Sequence, residues 1–139
     1  MATDYKQPRR INAVSVTLVL LLAASGYWFW KFFPVYFEAW AVDHALKENV
    51  TRVYKIMQMG EPDRTTELTK LVETAKTDIK KKAGVKDPNV VVNLNIDGPA
   101  ATMTADYKVT VTHEWFNKTT RLELHRTAVS DIKRVDWDK

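Results

Sequence analysis

"GYWFWKFFPVYFEAW", Gly26 to Trp40, holds nine of the fifteen aromatic residues in a chain of 139. Aromatic side chains fill cores, stack on bases or cofactors, or anchor helices at membrane surfaces, and the flanks of this run decide among those roles. Ala13 to Trp30 contains no charged residue. With Lys31, Phe32 and Phe33 the apolar run reaches about 20 residues, roughly 30 Å of helix, enough to cross the hydrocarbon core of a bilayer. Residues 13–33 therefore predict a transmembrane anchor.

A cleaved signal peptide is the competing reading, because Lys6, Arg9 and Arg10 form a basic n-region and Ala23-Ala24-Ser25 is an acceptable cleavage site. The apolar run continues past that site into the aromatic cluster, as a retained signal anchor would. Orientation follows from the same basic residues, set against a mixed-charge stretch after the span made of Lys31, Glu38, Asp43, Lys47 and Glu48. The expected layout is a cytoplasmic N-terminus (1–12), a single pass through the inner (cytoplasmic) membrane (13–33), and an extracytoplasmic domain (34–139), periplasmic in a bacterium. The chain has no cysteine, which makes it indifferent to the redox state of that compartment.

The aromatic cluster then has a physical explanation. Trp and Tyr gather where hydrocarbon meets headgroups, since their rings are apolar and their N–H and O–H groups seek water, and a lysine can snorkel to the same level. Tyr27, Trp28, Trp30, Lys31, Tyr36 and Trp40 are the expected membrane-interface belt. No histidine lies within the span to ligate a haem or chlorophyll, which weighs against a pigment platform. Ala23, Ala24, Ser25 and Gly26 form a run of small residues that would let another helix approach closely. Pro34 lacks a backbone donor and crowds the preceding turn, so the helix should kink there as a hinge, or end and restart.

Beyond Pro34, Ala39, Val42, Leu46, Val50, Val53 and Met57 recur at helical spacing, which predicts an amphipathic helix to about Gln58 with Gly60 as its C-cap. Pro62 and Asp63 open a second helix with the stripe Leu68, Leu71, Val72, Ala75 and Ile79, ending in Lys80 to Gly84. Three lysines at that end could bind an anion, but cations at a helix C-terminus are also what the dipole favours. From Asn89 the period changes to two. Val90, Val92, Leu94 and Ile96 alternate with Val91, Asn93 and Asn95, and Asp97-Gly98-Pro99 supplies a turn. Met103, Ala105, Tyr107, Val109 and Val111 then line one face of a second strand, and a third follows Asn117-Lys118.

Cross-strand matching places Leu94 opposite Met103 in the first hairpin, and Trp115 opposite Thr120 and Val111 opposite Leu124 in the second. The expected fold is α+β: an N-terminal transmembrane helix, then two amphipathic helices packed on a three-stranded antiparallel meander. Residues from Asp131 onward read as a loose tail or a fourth short strand.

Little in the chain announces chemistry. His113 and His125 fall on opposite faces of the expected sheet, His44 lies on a helix, and the pair His44 and Glu48 is a lone i,i+4 contact, so no metal site and no catalytic residue is expected. Gly26, Gly60, Gly84 and Gly98 are isolated, leaving no phosphate-cradling loop, and no cofactor is expected. A net charge of +4 with pI near 9.3 invites nucleic acid. The lysines are mixed with acids, however, so neither nucleic acid nor a small-molecule substrate is the expected partner.

"KFFPVYFEAWAVDHALKEN" and "DYKVTVTHEWFNKTTRLEL" resemble an uncharacterised bacterial family of short single-pass membrane-anchored proteins, with one N-terminal span, a Phe-Pro-x-Tyr junction, two helices and a terminal strand meander. The resemblance runs from about Val14 to Ala128 and implies no catalytic residues. The long N-terminal helix followed by a small sheet is also similar to type IV pilins and pseudopilins. A glycine before the hydrophobic start and a glutamate early in the span, which those proteins carry, are missing here. The expected function is that of a non-enzymatic accessory or structural subunit, bound to membrane lipid and to other membrane-protein subunits, with a pseudopilin-like component as the alternative.

Overall fold

A computed structural model describes residues 12–132. The basic residues Lys6, Arg9 and Arg10, and the expected tail after Ile132, lie outside the described residues. Two helices, α1 (Ala13–Met57) and α2 (Asp63–Lys81), precede three strands, β1 (Val91–Asp97), β2 (Ala100–His113) and β3 (Lys118–Asp131). The strands form one antiparallel sheet in the order β1-β2-β3. The fold is thus α+β, with one long apolar helix near the N-terminus, a second helix and a three-stranded sheet.

The number of helices corrects the sequence reading. The expected span and the helix after it are one continuous α1 of 45 residues that passes through Pro34. Pro34 deletes only the bond its N–H would have given the Trp30 carbonyl. Val35 and Ala39, buried within the next two turns, favour winding to continue. Internal contacts nevertheless divide the chain into two compact units that meet between Phe33 and Pro34.

In the second unit the buried positions of α1 are Val35, Ala39, Val42, Ala45, Leu46, Asn49, Val50, Val53 and Ile56. They recur every three or four residues, which places them on one stripe. From Val42 onward the apolar ones pack in one cluster with Leu71, Ala75 and Ile79 of α2 and with Val92, Ala101, Met103, Ala105, Tyr107 and Ala128 of the sheet. α1 ends in tightened turns, with Gln58 N–H donating to Lys55 and Met59 N–H to Ile56. Gly60 does not take a left-handed conformation there. Instead, the Arg64 guanidinium donates to the Met59 carbonyl at 2.9 and 3.2 Å. The left-handed glycines are Gly84, just past α2, and Gly98 in the β1–β2 turn.

The first hairpin has the expected register, with Leu94 opposite Met103 and Val92 opposite Ala105. The second differs. Val111 lies opposite Thr120, and Leu124 opposite Tyr107. Glu114–Phe116 forms a 3₁₀ turn closed by left-handed Asn117, whose N–H donates to Glu114 at 3.3 Å. These four residues are therefore loop, and Trp115 has no strand partner. The offset is even, so the alternation of faces is preserved even though every pair changes.

Two contacts tie the other elements to α1: Asp78 of α2 meets Asn49, and Arg126 of β3, opposite Ala105 in the register, lies 3.6 Å from Asp43.

Candidate functional site

Among the described residues, unit 1 presents a stretch of exposed apolar side chains. None of the 18-residue apolar window of α1 is buried, and Leu20, Leu21, Leu22 and Trp30 stand exposed. The helix is long and apolar enough to cross a membrane. Its aromatics touch along the helix at i,i+4 spacing, with Trp28 and Phe32 centroids 5.3 Å apart and Phe29 and Phe33 5.1 Å apart. Tyr27 and Lys31 are half-buried, whereas Trp28 and Trp30 are exposed.

Four consecutive helical residues point in four directions, at about 100° intervals, so Ala23 to Gly26 do not make one surface. Ser25 and Gly26 join Leu22, Trp28 and Phe29 in a shallow groove that Ala23 and Ala24 do not line. The Ser25 hydroxyl donates to the Leu21 carbonyl at 2.7 Å within its own helix. A Cβ added at Gly26 would meet no atom within 4 Å.

In unit 2, the first turns of α1 expose Tyr36, Phe37 and Trp40. The Trp40 ring lies against His44, with centroids 6.1 Å apart and planes 10° from parallel. Glu48, the expected partner of His44, pairs instead with Arg52 at 2.7 Å and with Lys82 at 3.3 Å. Lys82 and Lys80 are engaged, Lys80 donating to the Pro88 carbonyl at 3.1 Å, so these two of the three lysines brace the end of α2.

One polar cluster joins the hairpin to α1. The Arg126 guanidinium lies 3.6 Å from the Asp43 carboxylate, and the buried Tyr107 hydroxyl approaches Arg126 without reaching hydrogen-bond geometry. Burial raises the Tyr107 pKa, and the nearby Glu38 carboxylate raises it further. Burial also raises the Glu38 pKa, against an opposing effect of Lys86.

A second cluster covers the outer face of the sheet. Lys108 pairs with Glu123 at 2.9 Å, and the Asp87 carboxylate accepts from the backbone N–H groups of Asn89 at 2.9 Å and Lys108 at 2.6 Å. Those two bonds hold the Asp87 pKa below the usual aspartate value. Asp106 lies 2.5 Å from His125 Nδ1, and His125 Nε2 lies 3.2 Å from the Thr127 hydroxyl. Carboxylate, imidazole and hydroxyl in that order are the parts of a nucleophile relay. Here the carboxylate and imidazole are more than half exposed, at 51% and 63%, so the exclusion of water that gives such a relay its rate is missing.

Neither the Asp106–His125 pair nor the Arg126–Asp43 tie was visible in the sequence, because both depend on the true register of β2 against β3. The exposed Trp115–Phe116 pair at the hairpin tip is not legible from strand pairing either, since matching Trp115 to Thr120 puts it in a strand. Two adjacent aromatics immediately before an asparagine in a turn were the available signal. No family model, curated protein or solved structure matches this chain.

Proposed function

We propose that this chain is a non-enzymatic single-pass accessory or structural subunit of a membrane protein complex, with residues 13–33 packing on partner helices and residues 34–139 bracing or capping the complex. On this reading the N-terminus is cytoplasmic, the outer domain is periplasmic, and the partners are lipid and other subunits. The observation that carries it is the exposure of the apolar part of α1, where no residue of the 18-residue window is buried among the described residues. Each large apolar side chain left in water forgoes about 1.5–3 kcal/mol, so lipid or another helix must surround this stretch. Unit 2 has a core of its own and does not depend on covering it.

Gly26→Leu tests the helix-packing part, because the groove at Gly26 has room for the added side chain and hydrophobicity rises. The variant should insert and fold but no longer co-purify with the complex in mild detergent, and Ala23→Leu, outside the groove, should do so less. Wild-type recovery of partners with Gly26→Leu would place the partner contact elsewhere.

The alternative is a pseudopilin-like component of a secretion or filament machine, supported by the long N-terminal helix joined to a small sheet domain. Intact mass separates the two readings, since a removed leader and a methylated N-terminus belong only to the second.

A further inference from the structure

We propose that β3 is the seam of a symmetric dimer, in which the free edge of the sheet pairs antiparallel with the same edge of a second copy of this chain. Among the described residues β3 has one neighbouring strand, β2, and its other edge carries none. The edge is 14 residues long, against a usual strand of about five or six, and β3 pairs with β2 one to one without a bulge. Edges that stay single are shortened, bent by bulges, or interrupted by proline and lysine. From Thr119 to Val129 this strand has none of those guards.

The ladder decides what can cover such an edge. The Lys108 N–H donates to Asp87, away from β3, so even-numbered residues of β2 turn their backbone groups from β3, and so do the odd-numbered residues of β3 opposite them. Thr119, Arg121, Glu123, His125, Thr127 and Val129 therefore direct both N–H and C=O to the open edge, and all six residues are exposed. Donors and acceptors that recur at every second residue match another extended strand.

The side chains select a second copy as that strand. Self-pairing must bring odd residues opposite odd ones, both to close the ladder and to keep each face of the joined sheets continuous. Centring the two-fold axis on Glu123 or Arg126 sets like charges face to face, centring it on Leu122 sets Lys118 opposite Arg126, and centring it on His125 sets imidazole against imidazole. Centring it on Leu124 avoids all of these and keeps Lys118 to Ser130 of each strand paired. Glu123 then lies opposite His125 of the second copy, twice over. Lys108 already pairs with Glu123 at 2.9 Å and Asp106 with His125 at 2.5 Å, so each row across the seam reads Lys108, Glu123, His125, Asp106, with basic and acidic groups alternating. On the other face Leu124, half-buried in the single chain, meets Leu124 of the second copy on the axis.

The full-length protein in mild detergent should sediment at twice 16.0 kDa. Thr127→Pro replaces an N–H that faces the open edge and spares the β2–β3 ladder, so it should give a folded monomer. Two variants at the same exposed position change only its charge. Thr127→Lys meets Arg121 of the second copy and should weaken the dimer about tenfold, whereas Thr127→Glu should not weaken it. Oxidation locates the axis, since the chain has no cysteine of its own. Leu124→Cys should cross-link two chains, because that pair has Cα atoms about 4.5 Å apart. Leu122→Cys, displaced from its counterpart by about 13 Å along the strand, should stay reduced.

A monomer that does not cross-link overturns the proposal, and is the result if the edge takes a strand of another protein or residues of its own chain beyond Ile132. A dimer that survives Thr127→Pro and is not cross-linked through Leu124→Cys is held elsewhere, as by residues 13–33, and overturns it too. Equal effects of Thr127→Lys and Thr127→Glu, or cross-linking through Leu122→Cys in preference to Leu124→Cys, overturn the pairing about Leu124.

Discussion

The Asn49 side-chain amide donates to the Asp78 carboxylate across 3.1 Å, joining α1 to α2 inside the core. The same amide donates to the Ala45 carbonyl at 2.8 Å, which leaves the Asn49 Oδ1 without a partner at a position that is fully buried. Asp78 is also approached by Lys82 Nζ at 3.4 Å. A donor is needed at position 49, and asparagine supplies it without charge.

Asn49→Asp therefore sets two carboxylates face to face in the core. Above the pKa of the new acid the variant should lose about 3 kcal/mol or more, the usual order for an uncompensated buried charge. Burial and the like charge of Asp78 both raise that pKa, so the penalty is complete above the raised value and fades as pH falls through it, when the protonated acid can donate as the amide did. Urea unfolding of the full chain in mild detergent as a function of pH measures this. A loss of stability that does not diminish on acidification would mean that position 49 does not need a donor.

Asp87 should give the opposite dependence. Backbone N–H groups of Asn89 and Lys108 lower its folded pKa, so its stabilisation is present above the ordinary aspartate value of about 4 and disappears as pH falls through the lower folded value. Asp87→Asn should cost under about 1 kcal/mol near neutral pH, because one acceptor oxygen remains and the site is open to water. The gap between wild type and variant should narrow below about pH 4. A gap that widens there would contradict the assignment.

The register of the second hairpin can be tested by oxidation. The Lys108 N–H donates to Asp87 and so points away from β3, which makes Lys108 and Glu123, and likewise Asp106 and His125 two residues along, pairs without mutual ladder bonds. Such pairs have Cα atoms about 4.5 Å apart, within reach of a disulfide. Asp106→Cys with His125→Cys should cross-link on mild oxidation. Thr110→Cys with His125→Cys, the pairing implied by the sequence-derived register, should stay reduced because those positions are about 13 Å apart along the strand.

That contrast shows where the sequence is informative. Periodicity is a local property: Ala39, Val42, Leu46, Val50 and Val53 are buried on α1, Leu71, Ala75 and Ile79 on α2, and Val92, Met103, Ala105, Tyr107 and Val111 on β1 and β2, while Leu68, Val72, Leu94, Ile96 and Val109 are only half-buried. The first register was also legible, since Gly98-Pro99 leaves only a two-residue connection between Asp97 and Ala100. The second was not, because setting Trp115 opposite Thr120 and Val111 opposite Leu124 requires a pairing that the 3₁₀ turn excludes by taking Glu114 to Phe116 out of the strand. With the register went the Asp106–His125 contact. The helix count failed for a different reason: proline removes one bond, and whether a helix survives that loss depends on the packing of the turns around it.

The claim that this chain is a complex subunit is tested most directly by the mass of the native particle. The protein, extracted from its own membranes in mild detergent and weighed by native mass spectrometry, should be found in one assembly of constant stoichiometry that contains other membrane-spanning chains. Recovery as a single 16.0 kDa chain carrying only lipid and detergent, under conditions that leave other membrane complexes intact, would contradict the account.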